Sequence, residues 1–239
     1  MRPEPFYVSP DRIHGDRLVL DKEERRHLVT VKRHRAGDAV TVVDGVGGLY
    51  GATIEEIRPD EVVCHITTTT RVKESVSIVL GVGILKNPAR LDYLVEKSTE
   101  LGVSEIVLLE TERTISGRLK TDRWNNLALA AMKQSGRAYL PRVTLPVPFH
   151  EFLRDKSNEV LGVIPHEKLK TPTLPQVLAR ERRRSIRICV GPEGGFSDRE
   201  IQEAEEAGYQ GVSLGVNRLR TETAAVVAVA YCAEGSSRQ

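Results

Sequence analysis

The sequence predicts an α/β protein in which a small β-barrel precedes a parallel sheet covered by helices on both faces. Up to about residue 74, short runs rich in Val, Ile, Thr and Leu alternate with turn residues, a pattern typical of a small barrel. Beyond that point, continuous apolar strands such as "SIVLGVGIL" and "IRICVG" alternate with helices, as in parallel sheets buried on both faces. We therefore expect two domains, at residues 1–73 and 74–239.

Local signals mark the helices. A short helix is expected at residues 22–32 of the first domain. In the second domain, Asn87 and Pro88 are a typical helix start and Gly102 a typical helix end. Ser197-x-x-Glu200 is a capping box for a later helix. The last helix, from about residue 221, is apolar on almost every side, so it must lie in a core or an interface.

Composition indicates a cytoplasmic protein without a membrane partner. The 239 residues contain no apolar run approaching the roughly 20 residues of a membrane span, and the amino terminus has no apolar signal core. Cys64, Cys189 and Cys232 are odd in number and lack the spacing of a metal cluster, so we expect reduced core thiols and no metal site. The net charge of +2 does not by itself indicate a nucleic-acid partner.

A basic cluster lies in the first domain, where "RRHLVTVKRHR" contains Arg25, Arg26 and Arg33. Such a cluster binds phosphates in nucleic-acid-binding proteins. An exposed, solvated basic face is the alternative, and the cluster alone does not separate the two.

The stretch "RICVGPEGGFSDRE" joins a buried strand to a helix through a loop rich in glycine. Parallel α/β sheets bind ligands beyond the carboxyl ends of their strands, and glycines allow the backbone to approach a ligand closely. The loop matches neither the dinucleotide-binding nor the triphosphate-binding glycine motif, and Pro192 removes one amide donor. A ligand loop and an ordinary strand-to-helix connection both remain open at this point.

A second loop, "LGVNRLRTET", follows another strand and carries Arg218, Arg220 and Glu222 at the start of the apolar last helix. We expect it at the same edge of the sheet as the first loop, because the carboxyl ends of parallel strands share one edge. A third strand end, within residues 161–167, could join them.

These two loops resemble the signature loops of the 16S ribosomal RNA (uracil-N3)-methyltransferase family, which belongs to the SPOUT class of knotted methyltransferases. "KNPARLDYLVEKSTELGVSEI", "AAMKQSGRAYLP" and, in the first domain, "RRHLVTVKRHRAGD" followed by "DGVGGLYGATI" are similar to further family motifs. The resemblance covers nearly the whole chain in the expected order.

The resemblance implies a PUA-like β-barrel that helps to hold RNA and a carboxyl-terminal α/β domain with a trefoil knot. It implies a homodimer that methylates N3 of one uridine of 16S rRNA, in the assembled small ribosomal subunit. It also implies that the knot loops bind S-adenosyl-L-methionine, with the first loop too close to the cofactor for side chains. The residues expected to bind the cofactor are Leu161, Gly191, Pro192, Glu193, Gly194, Gly195, Leu214, Gly215, Leu219, Thr221, Thr223 and Ala224.

Uracil N3 is a poor nucleophile until its proton leaves, so the reaction needs a proton acceptor and a positive group beside the developing charge. By resemblance, we expect Arg220 to be that positive group and Glu222 the acceptor; Glu193 is the alternative base, or it orients the cofactor. The residues expected to contact RNA are Arg25, Arg26, Arg33, Lys86, Arg90, Gln134, Arg137 and Arg218.

The second loop departs from the family pattern, because Asn217 stands at the usual arginine position and Arg218 replaces an apolar residue. Arg218 could supply the missing charge from one residue later. Two other functions stay open: a non-catalytic RNA-binding or ribosome-assembly protein, and a knotted tRNA 2′-O-methyltransferase.

Overall fold

The computed structural model describes residues 4–114, 121–154, 157, 159–167, 169–181 and 183–237. The chain divides into two compact units. One holds the described residues up to Glu74 together with Leu129–Leu140, and the other holds Ser75–Ala128 and the described residues from Pro141 onward.

The amino-terminal unit contains a six-stranded sheet in the order β1-β4-β5-β6-β3-β2. Only β1 and β4 pair in parallel; the other neighbours are antiparallel. Irregular pairing at two points of the long β5–β6 ladder bends the sheet around one apolar core. The strands are β1 (Phe6–Tyr7), β2 (Ile13–His14), β3 (Arg17–Leu20), β4 (Ala39–Val43), β5 (Gly48–Ile57) and β6 (Val62–Arg71).

The helix expected at residues 22–32 is confirmed in two parts. Asp21 accepts the backbone N–H groups of Glu23 and Glu24 and so caps α1 (Lys22–Arg26). A π-helical turn, His27–Val31, continues it.

Residues 129–140 pack on this unit through Met132 and Ala138, which contact Val43. Lys133 forms an ion pair with the buried Glu24, and the backbone N–H of Gly47 donates to the carbonyl of Ala138 at 2.9 Å.

The second unit is built on the predicted parallel sheet. Its strands follow the order β12-β10-β11-β7-β8-β9, and every pairing among them is parallel. The strands are β7 (Ser77–Gly83), β8 (Glu105–Glu110), β9 (Arg142–Pro148), β10 (Val160–Pro165), β11 (Ser185–Val190) and β12 (Gln210–Val212).

Among the described residues, five helices connect these strands and a sixth follows the last strand: α2 (Pro88–Leu101), α3 (Asp122–Gln134), α4 (Phe149–Phe152), α5 (Leu174–Arg180), α6 (Asp198–Glu206) and finally α7 (Thr221–Ser237). The predicted start of α2 is confirmed, since Asn87 Oδ1 accepts the N–H of Ala89 at 2.9 Å and Pro88 is the first helical residue. Gly102 ends α2 in the left-handed conformation, with φ of 100°. The capping box of Ser197 and Glu200 is also confirmed at the start of α6.

Both faces of this sheet are covered. Helices α2, α5 and α7 pack together, and α7 also contacts β7 and β11. On the opposite face, Phe149 and Phe152 of α4 share an apolar core with Cys189 of β11 and Ala204 of α6. Because all six strands run in parallel, the loops that follow them begin at one edge of the sheet. None of the described helices combines the length and the apolarity that a membrane crossing requires.

Candidate active site

The loop that follows β11, residues 191–197 and here called the glycine loop, folds back on itself. A Cβ atom on Gly191 would lie 3.0 Å from the backbone nitrogen of Phe196 and 3.2 Å from Cα of Gly195. Gly195 has φ of 69°, in the left-handed region, and its N–H donates to the carbonyl of Pro192 at 2.8 Å. The loop's own geometry therefore favours glycine at both positions, through close backbone contacts at Gly191 and through φ at Gly195.

Arg90 lies between two carboxylates from different segments, one in the glycine loop and one in the first turn of α7. Its Nη1 lies 4.0 Å from Oε1 of Glu193, and its Nε lies 3.7 Å from Oε1 of Glu222. Glu193 Oε1 also accepts the backbone N–H of Lys86 at 3.1 Å. This cation thus links the start of α2 to the glycine loop and to the start of α7.

Glu222 is only 8% exposed, although it lies in the first turn of α7. Its Oε2 is buried and has no hydrogen-bond partner among the described residues. A buried carboxylate oxygen without a donor is costly, because the group has lost its water without replacement. Arg90 places a positive charge beside this carboxylate and so reduces that cost.

The second loop, residues 213–220, is here called the arginine loop. A backbone hydrogen bond fixes its first residue, and the arginine side chains near its end are exposed. The N–H of Ser213 donates to the carbonyl of Pro172 at 2.9 Å, and Gly215 has φ of 137°. Arg218 forms an exposed ion pair with Glu167, with Nε and Oε2 2.8 Å apart. The exposed Arg220 forms no ion pair with any other described residue.

The two loops border one crevice of about 910 Å³ at the carboxyl ends of β10, β11 and β12. It brings together ten of the twelve residues predicted to bind a cofactor: Gly191, Pro192, Glu193, Gly194, Gly195, Leu214, Gly215, Leu219, Thr221 and Ala224. Arg90, Arg218 and Arg220 line it as well, and so do Asn217 and three residues of the expected third strand end, Pro165, His166 and Glu167.

Some predicted residues lie elsewhere in this unit. Leu161 is buried within β10 and lines a separate cavity of about 340 Å³, because the strand continues for four more residues before its end at Pro165. Thr223 is exposed on α7, and neither it nor Lys86 nor Glu222 lines the crevice.

The remaining predicted RNA contacts belong to the amino-terminal unit. Arg26 and Arg33 are exposed, whereas Nε of Arg25 donates to the carbonyl of Arg58. Gln134 is exposed and Arg137 is half-buried. Burial lowers the pKa of the Arg137 guanidinium, and its Nε has no partner among the described residues.

Arg113 and Lys170 also line the crevice, and neither was singled out from the sequence. Arg113 follows β8, which is separated from β11 by β7 in the sheet. The only signal that could have identified it is its position just after an apolar strand.

Comparison with known proteins finds two matching family models, one for each part of the chain. Residues 72–233 match the family model described as "RNA methyltransferase domain", and residues 20–67 match "RNA methyltransferase PUA domain". The ribosomal RNA small subunit methyltransferase E of Synechocystis is 30% identical over 93% of this chain and 75% of its own length. That of Mesomycoplasma hyopneumoniae is 33% identical over 65% of this chain and 68% of its own length.

Solved structures give the same result. The crystal structure of the Neisseria gonorrhoeae ribosomal RNA small subunit methyltransferase E bound to S-adenosyl methionine has a TM-score of 0.85 and 31% identity, covering 96% of each chain. A Legionella pneumophila structure with the bound cofactor SAM has a TM-score of 0.79 and 30% identity, also covering 96% of each chain. With matches to both domains and along nearly its whole length, the chain belongs to the ribosomal RNA small subunit methyltransferase E family, an RNA methyltransferase family with an amino-terminal PUA domain.

Proposed function

We propose that the chain transfers a methyl group from S-adenosylmethionine to N3 of a uridine in 16S rRNA. The observation that carries the proposal is the crevice at the strand ends, where the glycine loop and the arginine loop meet. Two solved relatives that cover 96% of this chain carry S-adenosylmethionine, which supports the same cofactor here.

The crevice suits this cofactor chemically. S-adenosylmethionine carries a positive sulfonium, an ammonium group and ribose hydroxyl groups. The crevice offers carboxylate and carbonyl oxygens, which attract the two cations and accept hydrogen bonds from the ammonium and hydroxyl groups. Glu193 supplies one carboxylate, and its side chain is 27% exposed despite its contacts with Lys86 and Arg90. When bound, the cofactor supplies an electrophilic methyl group.

Arg220 is the proposed electrostatic catalyst. It lies on the crevice, is exposed, and forms no ion pair with another described residue, so its charge is available to the substrate. Loss of the N3 proton places negative charge on the uracil oxygens, and a cation fixed nearby stabilises that charge.

Glu222 is the proposed proton acceptor. Nε of Arg90 lies 3.7 Å from its Oε1, and its buried Oε2 has no partner among the described residues, so this oxygen is free to receive a proton. Glu193 is the alternative acceptor, because it lines the crevice directly. Replacing each with glutamine and comparing single-turnover rates at saturating S-adenosylmethionine distinguishes them: the variant of the acceptor should lose far more of its rate than the other variant.

We also propose that the glycine and arginine loops belong to a trefoil knot and that the protein acts as a homodimer in the cytoplasm, on the assembled small subunit. The chain's path supports the knot, because it returns from the edge strand β12 to place α7 against β7 and β11 in the middle of the sheet. The dimer is supported by α7, where Val226, Val227 and Tyr231 stay half-buried on an apolar helix. Light scattering after size-exclusion chromatography measures the molar mass in solution: twice the mass of one chain is expected, and the mass of a single chain would refute the dimer.

The test of function uses small ribosomal subunits from a strain lacking the modification and S-adenosylmethionine with a labelled methyl group. After digestion of the rRNA, label in 3-methyluridine is the expected result. Label in a 2′-O-methyl nucleoside would refute the N3 target but keep the methyltransferase. Absence of label, with protein still bound to the subunit, would favour a non-catalytic RNA-binding role.

A further inference from the structure

The turn that follows β8, residues 111–114, lies against the glycine loop. The N–H of Thr114 donates to the carbonyl of Thr111 at 3.0 Å, and the two threonine hydroxyls are hydrogen-bonded to each other. This short turn presents Glu112 and Arg113, which both contact the segment after β11, 81 to 88 residues further along the chain.

Arg113 holds the glycine loop through its carbonyl groups. Its Nη1 donates to the carbonyl of Gly194 at 2.6 Å and to that of Phe196 at 3.3 Å. These two carbonyls flank Gly195, the residue in the left-handed conformation. One charged nitrogen thus holds the peptide group before Gly195 and the peptide group after Phe196, so it restrains the short segment that contains the residue with the greatest backbone freedom.

A second contact fixes the end of the same loop. The N–H of Glu112 donates to Oε1 of Glu200 at 2.9 Å, while Oε2 of Glu200 accepts the N–H of Ser197 at 2.8 Å. Glu200 is 4% exposed, so this carboxylate is satisfied within the fold. The start of α6 is therefore held in place independently, and Arg113 acts on the part of the loop that borders the crevice.

We propose that Arg113 is a positioning residue for S-adenosylmethionine, a role that rests on the function proposed above. By holding the carbonyls of Gly194 and Phe196, Arg113 selects one orientation of the peptides around Gly195. Without it, those peptides rotate between orientations, because glycine permits both signs of φ. The cofactor then has to select the competent loop, which weakens its binding without changing the methyl-transfer step.

The test compares Arg113→Gln and Arg113→Lys with Arg123→Gln, a control in the same unit. Arg123 is an exposed arginine that pairs with Asp92 and does not line the crevice. We expect Arg113→Gln to raise the Kd of S-adenosylhomocysteine about tenfold, the scale of one or two charge-assisted hydrogen bonds, with little change in Tm. Arg113→Lys keeps the charge but loses the planar fork, so its effect is smaller. Arg123→Gln leaves Kd unchanged.

Steady-state kinetics provides the readout that a purely structural role would not change. A positioning role raises KM for S-adenosylmethionine while kcat at saturating cofactor stays near the wild-type value. A loss of kcat with unchanged KM would overturn the proposal, since Arg113 would then act on the chemistry or on RNA. Wild-type Kd in the Arg113 variants would overturn it as well. Failure of the wild-type protein to bind S-adenosylhomocysteine would instead refute the cofactor site itself.

A double-mutant cycle with Gly194→Ala tests the contact directly. A Cβ on Gly194 would lie 3.3 Å from Cδ and 3.4 Å from Cβ of Arg113, so alanine requires the arginine side chain to shift by a few tenths of an ångström. In the Arg113→Gln background, the alanine should therefore add little to the loss of affinity. Fully additive losses would show that the two residues act separately and would refute the assigned contact.

Discussion

Replacing Gly195 with alanine separates the conformational strain of the glycine loop from its effect on ligand binding. Gly195 has φ of 69°, and an added Cβ would meet nothing closer than Nη1 of Arg113 at 4.0 Å. The substitution therefore creates strain without a steric clash. An alanine in the left-handed region costs about 1–2 kcal/mol, and each kcal/mol lowers Tm by about 2–4 °C in a chain of this size.

Gly208 offers a matched control. It has φ of 84°, and an added Cβ would meet nothing within 4 Å, so Gly208→Ala introduces similar strain. Gly208 follows the end of α6 and does not line the crevice. Gly208→Ala should lose stability without losing affinity, whereas Gly195→Ala should lose affinity and, to the extent that its loop relaxes in the free protein, less stability than Gly208→Ala. If the alanine of the Gly195→Ala variant leaves the left-handed conformation in the free protein and binding forces it back, the cost of about 1–2 kcal/mol falls on the binding step. It then raises the Kd of S-adenosylhomocysteine about 5- to 30-fold.

Scanning calorimetry and isothermal titration measure the two effects separately. Gly195→Asn is a useful third variant, because asparagine tolerates the left-handed region better than alanine and should recover part of both losses. The reasoning fails if Gly195→Ala binds S-adenosylhomocysteine like the wild type. It also fails if Gly208→Ala weakens binding equally, because the effect would then be general to the fold.

Three further outcomes follow from the structure. Arg220→Ala should slow single-turnover methyl transfer by about 100-fold or more with unchanged Kd for S-adenosylhomocysteine by titration; lost binding with normal chemistry would contradict this. Lys133→Met leaves the buried Glu24 without its counter-charge and should cost about 3–5 kcal/mol of stability in urea unfolding near neutral pH. Burial raises the pKa of Glu24, so the folded state favours the neutral acid and this deficit should shrink as the pH falls; a deficit independent of pH would contradict it. Burial raises the pKa of Cys64 and Cys232 to about 12 and also raises that of Cys189, so all three thiols should resist a disulfide reagent in the native protein at about pH 8 and react only on unfolding.

The elements that the sequence predicted correctly are those whose signals are local. Asn87 with Pro88 and Gly102 mark the ends of α2, and Ser197 with Glu200 marks the start of α6. Each signal is a hydrogen bond or a backbone preference within one helical turn, so no knowledge of the tertiary fold was needed.

Elements with weak or contradictory local signals were missed. Strand β9 contains Pro146 as well as its terminal Pro148, and proline is rare within strands because it lacks an N–H donor. The strand tolerates these prolines because it lies at the end of the sheet order and, within the described part of the chain, pairs only with β8. Its other side has no neighbouring strand there, so no backbone N–H group is needed on that side. Helix α5 has only seven residues, too few for a clear periodicity.

Site residues could be predicted where the order of strands and loops along the chain was sufficient. They were missed where the order of the strands within the sheet had to be known. Residues of the glycine and arginine loops follow β11 and β12, which are consecutive strands along the chain, so their convergence could be expected. Arg113 reaches the glycine loop only because β8 lies two positions from β11 in the sheet, with β7 between them. No local pattern in the sequence encodes that order. Leu161 is the opposite case: its strand was predicted, but the residue lies too early in that strand to reach the crevice.

The glycines of the loop answer a demand of the loop's own backbone, and the close approach to a cofactor that the resemblance implies stays a prediction. The resemblance implied glycine because the backbone lies close to a cofactor, yet Gly191 is confined by the backbone of Phe196 and Gly195 by its own φ. These constraints are present before any ligand arrives, and Arg113 and Arg90 hold the loop from two sides. A loop ordered in the free protein gives up little conformational entropy on binding. The substitutions that loosen it should therefore reduce affinity through the free state, which is the effect that the Gly195 and Arg113 variants measure.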